Sequence, residues 1–318
     1  MDYWLFPIFS LAICCAVIAL RLRFASRGLD HPNQRSLHEI PTPHGGGAGI
    51  VAALLLIGLS LQVSAVVLFL VLGLALLSLL DDAKPLPFWL RLACHLAAAA
   101  VVCSLAGLSA WLWPVVMLAI AWMTNLFNFM DGADGLAGCQ GVAGFAAYAA
   151  GFALAGDHNL AAWCAAVAAA CGGFLLFNWP PARIFMGDVG SIPLGFLAGA
   201  MGFWGVWHGV WPVWFPLVAF APFVLDASTT LLRRALSGAR VWEAHRDHYY
   251  QRMVRLGYGH RGMTMRWGAV MLVGAAVGVA MLLVPARLQW ALAFVWVASL
   301  ATVGHGIDRL WRSRAHAP

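Results

Sequence analysis

Eleven apolar stretches, each about long enough to cross a lipid bilayer, limit what this chain can fold into. A spanning α-helix needs about 20 mostly apolar residues. The windows lie at approximately 3–21, 46–62, 65–81, 88–106, 111–129, 137–156, 160–178, 192–207, 211–232, 267–284 and 288–305. Because 62% of the residues are hydrophobic and only 10% are charged, the chain cannot coat a water-soluble globule. The sequence therefore predicts an all-α, polytopic integral membrane protein with about 11 transmembrane helices.

The basic residues predict the orientation of these helices. If the loops alternate, those at 22–45, 82–87, 130–136, 179–191 and 233–266 share one side with the C-terminal tail. With their flanks they hold every Lys and Arg except Arg287, which is eighteen of nineteen. Cytoplasmic loops are rich in Lys and Arg, so we expect these loops and the C-terminus in the cytoplasm and the N-terminus outside. We therefore attribute the net charge of +6 to topology and expect no nucleic-acid partner.

Five carboxylates fall on this predicted cytoplasmic side. Asp81 and Asp82 end the third window, Asp131 and Asp134 follow the fifth, and Asp188 follows the seventh. Carboxylates at the edge of a bilayer are costly unless they are paired or coordinated. Any one of them could simply cap a helix, but capping does not require the whole set. Their gathering on one side predicts a functional site.

The same loops lead into predicted helix N-termini, where unpaired N–H groups attract anions, above all phosphate. Carboxylates and phosphate are compatible if a divalent cation lies between them, and Mg²⁺ is commonly bound in that way. Asn128 and Asp188 offer hard oxygen ligands, and no cluster of His and Cys indicates zinc. The sequence therefore predicts Mg²⁺, or alternatively Mn²⁺. The glycines at 45–47 are more typical of close packing or a flexible helix entry than of a phosphate cradle.

The last cytoplasmic loop combines histidine and arginine. His245 and His248 share a helix face with spacing i, i+3, but without a third ligand nearby a metal site is the weaker interpretation. Together with Arg246, Arg252 and Arg255, they are typical of a clamp for a polyanion. The alternative is that the basic residues from 233 to 266 only hold this loop against anionic lipid.

Five motifs follow one another along the chain. They are His38-Glu-Ile-Pro-Thr42-Pro-His-Gly-Gly-Gly47, Asp81-Asp82-Ala-Lys-Pro-Leu-Pro87, Asn125-xx-Asn128-xx-Asp131-Gly-Ala-Asp134-Gly, Phe185-Met-Gly-Asp188-Val-Gly-Ser191 and His245-xx-His248-Tyr-Tyr-Gln-Arg252. In this order they resemble the motifs of the polyprenyl-phosphate N-acetylhexosamine-1-phosphate transferases, glycosyltransferase family 4, which includes the phospho-N-acetylmuramoyl-pentapeptide transferases. The resemblance runs from His38 to Arg252 and covers nearly the whole chain.

The resemblance implies a single transmembrane catalytic domain over residues 1–318, in a bacterial inner membrane with the active site facing the cytoplasm. It implies transfer of a sugar 1-phosphate from a UDP-N-acetylhexosamine to undecaprenyl phosphate, with release of UMP. By this resemblance Asn128 and Asp188 hold Mg²⁺, and Asp81 and Asp82 assist the lipid phosphate or the metal. The implied substrate-binding residues are Thr42 at the edge of the nucleotide pocket, Asn125, Asp131 and Asp134 lining it, Phe185 stacking on uracil, and His245, His248 and Arg252 on the donor.

Two departures from the pentapeptide branch stand out. The last loop has no triple His, and the stretch 38–42 has no Lys. The chain is therefore more similar to the branch that starts O-antigen or related glycans, with the pentapeptide-type transferase as the alternative. The sugar stays open between GlcNAc, GalNAc, FucNAc and QuiNAc. The resemblance is also compatible with a homodimer.

Two other classes of membrane protein also carry acidic or polar residues in or beside their spans. An intramembrane prenyltransferase is expected to show two DDxxD-like repeats, whereas Pro85 stands where the last Asp after Asp81 and Asp82 would be. A transporter is expected to place polar residues at mid-membrane. The only acid well inside a window is Asp226, near the inner end of the ninth. The sequence favours neither class over the transferase.

Overall fold

The structure is a computed structural model that describes residues 3–24, 29–30, 32, 37, 40–240 and 245–315. It consists of α-helices joined by short turns, with one small antiparallel sheet in which Leu29 pairs with Pro43 and Asp30 with Thr42. In chain order the elements are α1 (Leu5–Arg23), β1 (Leu29–Asp30), β2 (Thr42–Pro43), α2 (Gly47–Ser60), α3 (Ala65–Ala83), α4 (Phe88–Leu105), α5 (Trp113–Phe129), α6 (Leu136–Leu154), α7 (His158–Asn178), α8 (Asp188–Trp207), α9 (Trp214–Ala219), α10 (Ala221–Leu236), α11 (Tyr249–Met253), α12 (Gly259–Leu282) and α13 (Ala286–Ala315). The chain is an all-α polytopic membrane protein, as predicted.

Every predicted window coincides with one or two helices. In the part of the chain that the structure describes, nine helices are long and apolar enough to cross a membrane. The window at 46–62 forms α2, whose 14 residues fall short of the roughly 20 that a full span needs. The predicted total of about 11 spans and the predicted orientation therefore stay predictions.

The ninth window, 211–232, is not one helix. It divides at Phe220 into the short α9 and the longer α10. Pro222 in the first turn of α10 explains the break, because it has no N–H to donate to the preceding turn and its ring would clash with a carbonyl there. α10 then continues to Leu236, so it takes up the first residues of the loop predicted at 233–266.

Helix α8 is the most buried of the nine long helices, and its small residues let other helices approach closely. A Cβ on Gly195 would lie 2.6 Å from the carbonyl oxygen of Met123 in α5, and one on Gly199 would lie 3.0 Å from Ile120 Cα. This close packing of α5 on α8 brings the C-terminal end of α5 beside the first turn of α8. It therefore places Asn128 next to Asp188.

The predicted close-packing role of the glycines at 45–47 fits the structure. Gly46 and Gly47 donate their backbone N–H groups to the carbonyls of Phe185 and Met186 at 2.8 and 2.9 Å. A Cβ on Gly47 would lie 2.3 Å from Gly190 Cα. These two N–H groups hold the entry of α2 against the segment that leads into α8, where they have carbonyl partners rather than an open phosphate cradle.

We expect Gly195→Ala to lower the free energy of unfolding by about 1–3 kcal/mol, because the added methyl group has only backbone and Cβ atoms to displace. The matched control is Gly73→Ala in α3, where an added Cβ meets nothing within 4 Å. Thermal unfolding in detergent should show a lower midpoint for Gly195→Ala and no loss for Gly73→Ala. Equal midpoints for both variants would contradict the packing account.

Candidate active site

A polar cavity of about 500 Å³ lies where the motif loops meet. Its wall includes residues from all five motifs, namely His44, Asp82, Asn128, Asp131, Asp134, Phe185, Asp188 and Gln251. Asn178 and His260 add further polar side chains, and Leu29, Asp30 and Leu37 contribute from the first loop. Four of the five carboxylates that were predicted to gather therefore border this cavity, and Asp81 is the exception.

A second cavity of about 820 Å³ adjoins the first and is largely apolar. Its apolar wall comes from α3, α4, α5 and α8, with Leu77, Leu92, Leu118, Trp122 and Ile192 among its residues. Its polar residues include Asp81 near the end of α3, Arg91 and His95 in the first half of α4, Asn125 near the end of α5, and His245 and His248 before α11. This combination suits an extended hydrocarbon chain that carries a charged group at one end.

The two cavities share part of one wall. Asn128, Asp131, Gly132, Asp188 and Gln251 line both of them. A group bound in the polar cavity and a group bound in the apolar cavity would therefore meet at these five residues. This shared wall is the natural place for a reaction between two substrates of different polarity.

Asp188 and Asn128 are directly joined at the shared wall. Asn128 Nδ2 donates to Asp188 Oδ1 at 2.6 Å and to Ser191 Oγ at 3.2 Å. Asp188 is the first residue of α8 and follows Gly187, whose φ of 71° lies in the left-handed region that favours glycine. The helix N-terminus thus adds its positive end to the same place.

Asp131 is the second carboxylate of the shared wall. Its pKa lies well above the ordinary value, mainly because the surrounding protein removes it from water and secondly because Asp188 lies nearby. A hydrogen bond from Gly187 N–H acts in the opposite direction. Two repelling carboxylates in a water-poor cavity are a suitable environment for a cation.

The donor set at the shared wall fits Mg²⁺. Among the described residues, no group of three or more His, Cys, Asp or Glu side chains is placed to hold a metal ion. Mg²⁺ does not require such a cage, because one or two carboxylates together with water and substrate phosphate oxygens suffice. Asp131, Asp188 and the amide oxygen of Asn128 supply ligands of this kind.

The adjacent residues Asp81 and Asp82 face different cavities, which their sequence position alone could not indicate. Asp81 lines the apolar cavity, where it binds Arg91 at 2.7 Å and accepts from Leu86 N–H at 2.6 Å. Asp82 lines the polar cavity and lies 3.9 Å from His44 Nδ1. Asp81 is thus held in an ion pair with Arg91, whereas the side chain of Asp82 is more exposed to solvent.

Asp134 and Phe185 both line the polar cavity, and their predicted contact with the nucleotide stays a prediction. Asp134 is buried, forms an ion pair with His260 at 3.1 Å and accepts from Ala182 N–H at 3.0 Å. Asn125, which the resemblance assigned to the same pocket, instead lines the apolar cavity. There its Nδ2 lies 3.3 Å from His95 Nδ1.

His245 and His248 line the apolar cavity near the shared wall. The pKa of His245 is lowered to about 4, first by burial and then by the charges of His248 and Arg234, with partial compensation from Asp247 and Asp226. His245 is therefore uncharged at neutral pH. In a clamp for a polyanion it would contribute a hydrogen bond rather than a positive charge.

Two predicted substrate-binding residues line neither cavity. Thr42 is buried in β2, and its hydroxyl donates to the carbonyl of Ile40 at 3.0 Å. The guanidinium of Arg252 binds Asp308 of α13 at 2.7 Å. Contact of Thr42 and Arg252 with the donor stays a prediction. His38 and Glu39 of the first motif, and residues 241–244 of the last loop, lie outside the described residues.

Sequence reasoning missed several residues of the site. Arg91 and His95 are four residues apart on one face of α4 and line the apolar cavity. An arginine inside an apolar window was the available signal, because such a charge is costly in a bilayer. His260 lines the polar cavity and binds both Asp134 and the carbonyl of Leu37. No spacing or periodicity pointed to it.

The lowered pKa of His245 has a measurable consequence. In a ¹⁵N-histidine NMR titration, the ring signals assigned by their loss in His245→Asn should not move between pH 7.5 and 5.5. Because the unfolded chain takes up this proton more readily, stability should fall as the pH drops from about 6.5 to about 4. His245→Asn should lose less stability over that range. A His245 titration midpoint near 6.5 would contradict this description of the loop.

Comparison with known proteins agrees with the geometry. The model of glycosyl transferase family 4 matches residues 64–205. This range contains the motifs around Asp81, Asp131 and Asp188, and excludes those at 38–47 and 245–252.

Relatives extend the match over most of the chain. A Bacillus subtilis (strain 168) protein named a probable undecaprenyl-phosphate N-acetylglucosaminyl 1-phosphate transferase is 25% identical over 307 residues, covering 87% of this chain and 83% of the relative. The phospho-N-acetylmuramoyl-pentapeptide-transferase of Chloroflexus aggregans is 27% identical, covering 55% of this chain and 48% of the relative. That of Heliobacterium modesticaldum is 30% identical, covering 55% and 53%. Over residues 64–205 the chain is therefore similar to members of glycosyl transferase family 4.

Proposed function

We propose that this protein transfers a sugar 1-phosphate from a UDP-N-acetylhexosamine to undecaprenyl phosphate, at the cytoplasmic face of a bacterial inner membrane. The observation that carries the proposal is the wall formed by Asn128, Asp131 and Asp188, which a polar and an apolar cavity share. The two proposed substrates differ in polarity in the same way as the two cavities, since one is a water-soluble nucleotide sugar and the other is a lipid phosphate. The names of the relatives support the same substrate classes.

The donor would occupy the polar cavity and the acceptor the apolar one. Phe185 offers an aromatic ring for the uracil. Arg91, which pairs with Asp81 and lines the apolar cavity, offers a guanidinium to the lipid phosphate. The polyprenyl chain would follow the apolar wall between α3, α4 and α5. Both phosphates would then lie against the shared wall.

The reaction exchanges one phosphoanhydride bond for another. An oxygen of the lipid phosphate attacks the sugar-bearing phosphorus of the donor, a new P–O bond forms, and the bond to the uridine phosphate breaks. UMP leaves with the electron pair of that bond, so no oxidant or further reactant is required. Because both reactants are anions, the protein must mainly position them and offset their repulsion.

We propose that Asn128 and Asp188, with help from Asp131, hold Mg²⁺, or Mn²⁺ in its place. When bound there, the cation neutralises phosphate charge and polarises the phosphoryl group. Asp188 and Asn128 fix its position through their mutual hydrogen bond and the packing of α5 on α8. The N-terminus of α8 adds N–H groups that favour negative charge.

The O-antigen-type branch remains the preferred assignment within the family. It rests on the absence of a triple His in the last loop and of a Lys at 38–42. The pentapeptide-type transferase is the second candidate, because relatives with that name match half of the chain or more. The proposed role is the first membrane step of a cell-surface glycan such as O-antigen.

The proposed function is tested with purified protein, undecaprenyl phosphate, Mg²⁺ and a panel of donors. The panel contains UDP-GlcNAc, UDP-GalNAc, UDP-FucNAc, UDP-QuiNAc and UDP-MurNAc-pentapeptide, and UMP release is measured. Turnover with a UDP-N-acetylhexosamine supports the preferred branch, and turnover with the pentapeptide donor alone supports the second candidate. No lipid-dependent UMP from any donor would contradict the proposal.

We expect Asp188→Asn to lower kcat at least 100-fold, about 2.7 kcal/mol at 1.36 kcal/mol per tenfold change, because it removes a charged ligand at the reacting phosphates. The matched control is Asp157→Asn, since Asp157 also lies at a helix N-terminus, where it accepts from Leu160 N–H at 3.0 Å. That variant should keep normal turnover. Chelation of divalent ions should abolish UMP release, and added Mg²⁺ should restore it. A folded Asp188→Asn protein with near-normal turnover would remove Asp188 from the site.

A further inference from the structure

Asp226 is a buried carboxylate in α10 that the proposed reaction does not use. It is only 2% exposed and lines neither the polar nor the apolar cavity. Burying a carboxylate is costly unless its oxygens accept hydrogen bonds. Its position well inside an apolar window therefore requires an explanation.

The carboxylate of Asp226 contacts three consecutive residues of the last motif. Its Oδ1 accepts from Tyr249 N–H at 2.8 Å, and its Oδ2 accepts from Tyr250 N–H at 3.0 Å. Its Oδ1 also lies 3.2 Å from His248 Nδ1. Thr230, one turn later in α10, donates its hydroxyl to the same oxygen at 3.3 Å. The carboxylate thus fastens residues 248–250 to α10.

This attachment compensates for the short length of α11. A helix of five residues has few internal hydrogen bonds, and the N–H groups of its first turn need acceptors from elsewhere. Asp226 in α10 supplies two of these acceptors. The start of α11 is therefore held by Asp226 as well as by its own capping box, in which His248 and Gln251 each accept a backbone N–H of the other.

The fastened residues form part of the site wall. His248 and Tyr250 line the apolar cavity, and their rings stack at a centroid distance of 5.7 Å and an angle of 19°. Gln251 lines both cavities and accepts from His248 N–H at 3.3 Å. A shift of His248 away from Asp226 would therefore also move the shared wall.

We propose that Asp226 is a positioning residue that fixes the orientation of His248 at the site without touching either substrate. The inference rests on the proposed function, because it takes the two cavities as the reaction site. It differs from a purely stabilising role in one respect. A positioning residue acts through His248, so its effect on turnover should disappear when His248 is replaced.

The first test is a double-mutant cycle on kcat at saturating substrates. Asp226→Asn keeps the size and one carbonyl oxygen, and loss of an orienting partner is expected to lower turnover about 10–100-fold. In a His248→Gln background the same change should lower turnover less than about threefold further. Multiplicative effects of the two changes would overturn the proposal.

Asp308→Asn is the control for this cycle. Asp308 is also a buried acid near α11, but it binds Arg233 and Arg252 rather than His248. Its effect on turnover, of whatever size, should multiply with that of His248→Gln. If Asp226→Asn does not fold, Thr230→Val is the milder substitute, because it removes one hydrogen bond to the same carboxylate. It should show the same lack of additivity with His248→Gln.

A second test does not depend on turnover. In ¹⁵N-histidine spectra of the full-length protein in nanodiscs, the ring signals lost in His248→Gln belong to His248. Asp226→Asn should shift them, and coincident His248 signals in both proteins would overturn the proposal. If no donor gives UMP but these signals still shift, the proposed function fails while the attachment of His248 to Asp226 stands. The two failures are therefore distinguishable.

Discussion

The structure depends on one constraint, which is the electrostatic repulsion between carboxylates that lie close together in the poorly hydrated polar cavity. Asp82, Asp131 and Asp188 all border one polar cavity, and the raised pKa of Asp131 reflects burial and the nearby charge of Asp188. Elsewhere the protein partners its buried acids, as Asp81 with Arg91 and Asp226 with backbone N–H groups. A divalent cation would offset the negative charge of Asp131 and Asp188, which the uncharged donors Gly187 N–H and Asn128 do not neutralise.

Close helix packing determines the geometry of the wall at which Asn128 meets Asp188. Gly195 and Gly199 let α5 approach α8, and Gly47 and Gly190 let the entry of α2 cross the start of α8. The result is that Asn128 meets Asp188 within hydrogen-bonding distance although 60 residues separate them. Small residues matter more than apolar area here, since lipid itself offers the side chains an apolar environment.

Much of this arrangement could be predicted from the sequence. Apolar windows predicted the helices, because a bilayer leaves the backbone no other partner than itself. Because successive loops alternate between the two sides of the membrane, the sequence predicted that the aspartates would gather on one side. The break at Phe220 was missed because hydropathy does not register the backbone effect of Pro222. The separate roles of Asp81 and Asp82 depend on the direction in which each side chain points at the end of α3. The pairing of Arg252 with Asp308 depends on how α13 packs, which no local pattern encodes.

The central claim is that a divalent cation and both phosphates meet at the wall formed by Asn128, Asp131 and Asp188. The most direct test is a structure of the protein with Mn²⁺ and a UDP-N-acetylhexosamine, in which anomalous scattering locates the manganese. The account predicts Mn²⁺ within about 2–2.5 Å of an Asp188 carboxylate oxygen and of a donor phosphate oxygen. The uracil of the donor should lie in the polar cavity beside Phe185. A cation bound away from Asp188, or a donor seated in the apolar cavity, would contradict the account.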